Sequence, residues 1–287
     1  MKCGTVALIG EPNVGKSSLV NALVGESVSI TSAKANTTRD KICGIKNGQG
    51  YQIIFLDTPG MNTKRNMLDK YMGKQISSSV AQADVICYCM TNITDAEIEK
   101  LKNYENRNII VVVNKIDTTS FEKLYPKLTK LNDIGFIKAV VAVSAKTGKN
   151  LDVLEAEIVK LLPAGEAQFT DEDLFTTQSQ KTMAAEIIRK NILELLDKEI
   201  PHGVGVQIIK WNEAKRTIEI DADILCDKPS HKPIILGKKG DMIRKIGSMC
   251  RIELQKTLNA HIQLNLFVKV KEDWRNNTNI LGDLGYI

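Results

Sequence analysis

The 287-residue sequence predicts an α/β domain on a mostly parallel sheet with one antiparallel strand, followed by a smaller α+β domain. Three observations carry this. Over residues 1–163, short apolar runs alternate with segments of helical periodicity, the pattern of strand–helix–strand units. A polar, aperiodic stretch, residues 164–178, breaks that pattern after Pro163 and reads as a linker. Over residues 179–287 the order becomes helix, two strands, two helices and a strand.

The first-half runs TVALIG (5–10), YQIIFLDT (51–58), ADVICYCM (83–90), NIIVVVNK (108–115) and AVVAVSA (139–145) are continuous and largely β-branched. Strands buried on both faces need that composition. KICGIKNGQGYQIIFLD (41–57) carries NGQG at its centre, turn chemistry that predicts a hairpin and so the antiparallel strand. In LDVLEAEIVKLL (151–162), Leu151, Leu154, Ile158 and Leu161 recur at helical spacing. Past the linker, Ala184, Ile187, Ile188, Ile192, Leu195 and Leu196 mark an amphipathic helix that stops before Pro201. GVQIIKW (205–211) and RTIEIDADIL (216–225) read as strands, DMIRKIGSMCRIELQKTL (241–258) as a helix, and HIQLNLFVKVK (261–271) as an alternating strand.

Composition narrows the class. At 43% hydrophobic the chain can fill two cores, and a net charge of +5, mostly from the second half, permits a nucleic-acid partner without requiring one. Six cysteines are scattered with no metal spacing, as expected of reduced thiols in a cytoplasmic protein. The first motif begins too early to leave room for a secretory signal, and no apolar run approaches the ~20 residues of a membrane span.

Function enters through two glycine-lysine loops. GEPNVGKS (10–17) fits G-x-x-x-x-G-K-[ST] and lies between a strand and a helix. Its glycines let backbone N–H groups curl around phosphates, Lys16 would reach the β- and γ-phosphates, and Ser17 would ligate Mg²⁺. DTPG (57–60) closes a strand, placing Asp57 for Mg²⁺ and the Gly60 N–H for the γ-phosphate. NKID (114–117) offers Asp117 to guanine N1–H and N2–H₂, a donor pair that adenine lacks. SAK (144–146) offers the Ala145 N–H to guanine O6. The second loop, GKKG (237–240), follows PIIL and opens a helix. Such a turn can clamp single-stranded RNA by its backbone, with bases against a groove expected from Ile235, Ile243 and Ile246; on these residues alone a plain helix-turn-helix is the rival reading. No Ser or Thr follows its lysine, so it is not a second triphosphate loop.

Together with SAKANTTRD (32–40), these residues resemble the translation-factor-type GTPases of the TRAFAC class, and within them the Era-like group. The helix–strand–strand–helix–helix–strand order resembles the type II KH domain that follows the GTPase half in that group. The resemblance covers nearly the whole chain, to VKVKEDW (268–274) and LGY (284–286). It implies a GTP/GDP site from Gly10, Glu11, Pro12, Asn13, Val14, Gly15, Lys16, Ser17 and Ser18, with Asp57 and Gly60. Asn114, Lys115, Asp117, Ser144, Ala145 and Lys146 would frame the base. Thr38 would close over Mg²⁺ and the γ-phosphate, with Thr37 the fallback. Gly237, Lys238, Lys239, Gly240, Arg244 and Lys245 would bind RNA beside Ile235 and Ile243.

The implied partners are 16S ribosomal RNA near its 3′ end and the 30S subunit, whose assembly the protein would serve as a GTP-hydrolysing monomer. Asn13 matches an asparagine that in related GTPases helps hold K⁺; the rival reading is that it tolerates an awkward backbone angle. Met61 stands where Ras-type enzymes place a water-orienting glutamine. Leu236, the linker and CYCM (87–90) also depart from the group's pattern. Two alternatives stay open, an RNA-binding protein with a vestigial nucleotide site and a GTPase of a tRNA-modification system. A peripheral inner-membrane contact through the basic half is compatible with the sequence but not demanded by it.

Overall fold

The computed structural model describes the chain except residues 33, 35, 36, 62–64, 198, 199, 201 and 202. Ala33, Ala35 and Asn36 of the expected switch, residues 62–64 after Gly60, and Pro201 therefore lie outside the described residues. The chain divides into two compact units. The first comprises Met1–Thr31, Thr38–Thr63 and Met72–Thr177; the second comprises Ser32–Thr37, Lys64–Tyr71 and Gln178–Ile287.

The first unit begins with β1 (Lys2–Ile9), α1 (Lys16–Val24), β2 (Ile42–Gly48) and β3 (Tyr51–Asp57). It continues through α2 (Met67–Gln82), β4 (Val85–Met90), α3 (Asp95–Leu101), β5 (Ile109–Val113), α4 (Phe121–Asn132), β6 (Ile137–Ala142) and α5 (Leu151–Leu161). Its sheet runs β2-β3-β1-β4-β5-β6. Among the described residues, β2–β3 is the antiparallel pair of these six strands, in the register Ile42↔Asp57 to Gly48↔Tyr51, as the NGQG turn predicts. The continuous apolar runs are explained by two cores, one on each sheet face. Val6, Leu8, Cys87, Cys89, Ile110 and Val112 face one, packed with Leu19, Leu23 and Leu154 of α1 and α5. Their strand neighbours Ala7, Ile9, Ile86, Tyr88, Val111 and Val113 face the other. Cys87 and Cys89 are core atoms, and burial raises both thiols.

The stretch read as a linker is strapped along the sheet edge. Ile45 N–H donates to the Phe175 carbonyl at 2.9 Å and Thr176 Oγ1 to the Cys43 carbonyl at 2.7 Å. Buried Gln52 receives the N–H groups of Gln168 and Phe169 at 2.8 and 3.1 Å. An edge strand left bare would be a template for aggregation; here the polar segment covers it.

The second unit contains α6 (Gln180–Leu195), β7 (Val204–Ala214), β8 (Thr217–Cys226), α7 (His231–Leu236), α8 (Asp241–Leu258), β9 (His261–Val270) and α9 (Thr278–Asp283). β7 pairs antiparallel with β8, and β8 parallel with β9. Ala184, Ile187, Ile188 and Ile192 are buried as the periodicity predicts. Its core also takes Trp274, whose Nε1 donates to the Gly203 carbonyl at 2.9 Å. Arg189 was not legible as a core residue: it is buried, paired with Glu186, and donates to the Thr37 carbonyl of the same unit.

Candidate functional site

The sheet's strand order reverses direction at β1, and open α/β sheets bind ligands at the carboxyl ends of strands beside such a point. β1 ends there in residues 10–15. A Cβ on Gly10 would lie 2.1 Å from the Cys89 carbonyl oxygen, and one on Gly15 would lie 2.4 Å from Asn114 Nδ2. No side chain fits at either. Asn13 sits at φ 63°, the left-handed angle that asparagine tolerates. Its carbonyl accepts from Lys115 Nζ at 2.6 Å.

Lys16 is 6% exposed and folds back over the loop, donating to the Gly10 and Glu11 carbonyls at 3.0 Å each. Burial pulls its pKa down, while the Asp57 and Cys89 side chains push the other way. A cation held this dry is a strong electrostatic partner for an anion that displaces those carbonyls. Sequence reasoning missed the brace on the Glu11 side chain. Lys100 of α3 donates to it at 2.7 Å and also bonds Glu97, whose carboxylate accepts from the Tyr88 hydroxyl at 3.0 Å. Nothing in the motif spacing points to α3.

Three oxygens meet at the start of α1. Ser17 Oγ and Thr38 Oγ1 lie 2.9 Å apart. Asp57, 0% exposed, ends β3 beside them, and neither of its oxygens completes a hydrogen bond among the described residues. Burial raises its pKa, opposed by the Ser17 hydroxyl, the Lys16 charge and the Ser29 and Thr38 hydroxyls. Hard oxygens around an unpaired buried carboxylate fit Mg²⁺. Thr37, the fallback, instead turns its hydroxyl to the Lys34 carbonyl at 2.7 Å. Gly60 approaches the first loop so closely that a Cβ would lie 2.8 Å from Pro12 N, and Met61 N–H donates to the Gly10 carbonyl at 3.1 Å.

The base-reading loops are stitched by Asn114. Its Nδ2 donates to the Val14 carbonyl at 3.0 Å, and its Oδ1 accepts from the Lys115 and Ala145 N–H groups at 2.8 and 3.1 Å. Ala145 N–H, expected to face a guanine oxygen, is thus engaged within the protein here. Ser144 Oγ donates to Asp117 Oδ1 at 2.7 Å. That bond, with Lys146 and Lys115 nearby, holds the exposed Asp117 carboxyl below its usual range and therefore ionised as an acceptor.

In the second unit the GKKG loop links α7 to α8. Gly237 has φ 74° and would place a Cβ 2.6 Å from Met242 N; Lys239 and Gly240 are also left-handed, at φ 54° and 82°. Lys238, Lys239, Arg244 and Lys245 are exposed. The groove expectation needs correction. Ile235 and Ile246 are both 0% exposed, because six-residue α7 turns Ile235 into the core; its neighbour Ile234, 49% exposed, faces out, and Ile243 is half-buried.

The family profile described as a 50S ribosome-binding GTPase matches residues 5–115, and a KH-domain profile matches residues 199–275. GTPase Era of Clostridium acetobutylicum is 39% identical over 291 residues, covering 99% of this chain and 98% of the relative. Its counterpart in Thermoanaerobacter pseudethanolicus is 41% identical, with 99% and 96% covered. A variant of Aquifex aeolicus Era bound to GDP·AlF4⁻ superposes with a TM-score of 0.94 at 37% identity, covering 100% of this chain and 99% of that one. Era in complex with MgGDPNP and nucleotides 1506–1542 of 16S ribosomal RNA matches equally, at TM-score 0.94, 37% identity and the same coverage. Full-length matches at this identity, on a fold with a GTPase unit and a KH unit, place the chain in the Era family of GTPases.

Proposed function

We propose that this protein binds and hydrolyses GTP and, through its KH unit, binds 16S ribosomal RNA near its 3′ end in the assembly of the 30S subunit. The observation carrying the enzymatic half is the buried, unpaired Asp57 carboxylate beside Ser17, Thr38 and Lys16. A vestigial site would have no reason to retain a fully buried carboxyl group that completes no hydrogen bond among the described residues. The RNA half is supported by the exposed lysines of the GKKG loop and by the 16S fragment in the relative's complex.

The reaction is in-line attack of water on the γ-phosphorus, with cleavage of its bond to the bridging oxygen and departure of GDP, giving GDP and phosphate. When bound, Mg²⁺ supplies positive charge to the phosphate oxygens, and Ser17, Thr38 and Asp57 are the residues that would hold it. Lys16 leaves the Gly10 and Glu11 carbonyls for the phosphates, and the N–H groups of residues 13–17 and Gly60 take the charge that develops. Asp117, kept ionised by Ser144, selects guanine. Met61 has no group to orient the water, so the intrinsic rate is low. Asn13 would help hold a K⁺, which would supply the charge that an arginine finger supplies elsewhere. Among the described residues no helix is long and apolar enough to cross a membrane. The protein acts as a cytoplasmic monomer, and any inner-membrane contact would be peripheral.

The test is GTP turnover with the 3′-terminal 16S fragment present, in K⁺ and in Na⁺. Arginine-finger roles are worth roughly 10³–10⁵ in rate, so K⁺ should raise turnover at least tenfold over Na⁺. Equal, measurable rates would remove the cation from the mechanism. No turnover in either salt would restore the vestigial-site alternative.

A further inference from the structure

The magnesium corner holds one more oxygen that no motif marks. Ser29 is 2% exposed, and its Oγ has no hydrogen-bond partner among the described residues. Leaving a buried hydroxyl unpaired is unfavourable, so its presence calls for a partner from outside the chain. Nor is Ser29 there by slack in the backbone. Asn21 Oδ1 accepts from the N–H groups of Val28 and Ser29 at 3.0 and 2.9 Å, and Asn21 Nδ2 donates to the Ser29 carbonyl at 2.7 Å. Asn21 lies four residues after Ser17 on α1, and positions so spaced share one helix face. The same face of α1 therefore carries the Ser17 hydroxyl and the Asn21 amide that clamps Ser29.

Asp57 is the matching half. Both its oxygens are buried and unpaired, and the Ser29 hydroxyl is among the groups that favour its charge. Two buried oxygen groups that complete no hydrogen bond among the described residues, next to the Ser17–Thr38 pair, are a set that a hydrated divalent cation would satisfy.

We propose that Ser29 is a positioning residue of the magnesium site, its hydroxyl completing with Asp57 the hydrogen-bonded shell around the ion. This rests on the reading of the chain as a magnesium-dependent GTPase. Asn21 acts through Ser29 by fixing its backbone. The geometry also separates a metal role from a packing role. A hydroxyl that completes no hydrogen bond with the protein contributes little to the metal-free fold, whereas its loss weakens the loaded site.

The experiment uses the full chain and a fluorescent GDP analogue, whose retention is followed across an EDTA-buffered Mg²⁺ series. Outer-shell partners of a metal are worth roughly 10–100-fold in its affinity, so Ser29→Ala should raise the Mg²⁺ midpoint at least about tenfold. The melting temperature of the nucleotide-free, metal-free protein should not fall. Ser29→Cys, which keeps the volume but replaces oxygen with a poor hydrogen-bonding atom, should shift the midpoint likewise and serves if Ser29→Ala does not fold. A midpoint within twofold of wild type overturns the proposal, as does a lowered metal-free melting temperature with an unmoved midpoint. If GDP retention by the wild-type protein ignores Mg²⁺, the GTPase reading beneath the proposal fails first, and the two failures are told apart.

Discussion

The two glycine-lysine loops look alike in sequence and are built oppositely. In the first, Lys16 is buried and bonded to carbonyls of its own loop, and Gly10 and Gly15 are packed so tightly that a methyl group would collide with Cys89 or Asn114. In the second, Lys238 and Lys239 are exposed, and although a Cβ on Gly237 would meet Met242 N at 2.6 Å, one on Gly240 would find its nearest atom 4.0 Å away, so the difference lies in the lysines. A compact polyphosphate rewards the first design, because one dry charge and a ring of fixed N–H groups match a small, dense anion. A polynucleotide strand rewards the second, because exposed lysines bind it mainly by releasing its counterions. Burial of the lysine thus separates the two ligands where the letters G and K do not.

If that contrast is right, the largest effect belongs to Lys16. Its replacement by alanine removes the buried lysine bonded to the Gly10 and Glu11 carbonyls, and one such donor is worth about 10²–10³ in kcat. Single-turnover hydrolysis by Lys16→Ala should fall by at least that factor while RNA affinity without nucleotide stays unchanged; a loss of less than tenfold would mean the buried amine is structural. The next effect belongs to Asp117. Asp117→Asn replaces an acceptor by an amide that cannot take both guanine hydrogens, a loss of about 3 kcal/mol or roughly 10²-fold in GTP affinity. Xanthosine triphosphate should gain what GTP loses. Equal GTP binding by the variant would show that the carboxylate bonded by Ser144 does not read the base.

Much of this was legible because the first unit's motifs are local. Gly10 to Ser17, Asp57 to Gly60 and Asn114 to Asp117 are short runs at strand ends, and β-branched runs identify the strands. What stayed hidden depends on contacts between distant residues. Ser29 and Asn21 carry no motif, Lys100 reaches Glu11 across 89 positions, and Arg189 looks like a surface arginine on a polar helix stripe. The misplacement of Ile235 and Ile246 has a simpler cause. An apolar residue beside a functional loop reads the same whether it lines a groove or fills a core, and only the phase of the short α7 decides. The linker was legible in composition, not in role, since polar and aperiodic describes a strap over a sheet edge as well as a free tether.

The smallest effect per residue should come from the exposed lysines, and it differs in kind from the other two. Lys238 and Lys239 each neutralise at most a phosphate or so, and single-stranded binding loses about 0.7 from its log–log salt slope per contact removed. The double variant Lys238→Ala, Lys239→Ala should therefore bind the 3′-terminal 16S fragment more weakly at low salt and with a slope shallower by up to about 1.4. GTP turnover without RNA should be unaffected, since neither residue belongs to the first unit. At high salt, where counterion release contributes little, variant and wild type should converge. That convergence is the discriminating result. A loss of affinity independent of salt would mean that the two lysines hold the loop's left-handed geometry rather than the strand, and Lys239, at φ 54°, is the residue at which such a role would act.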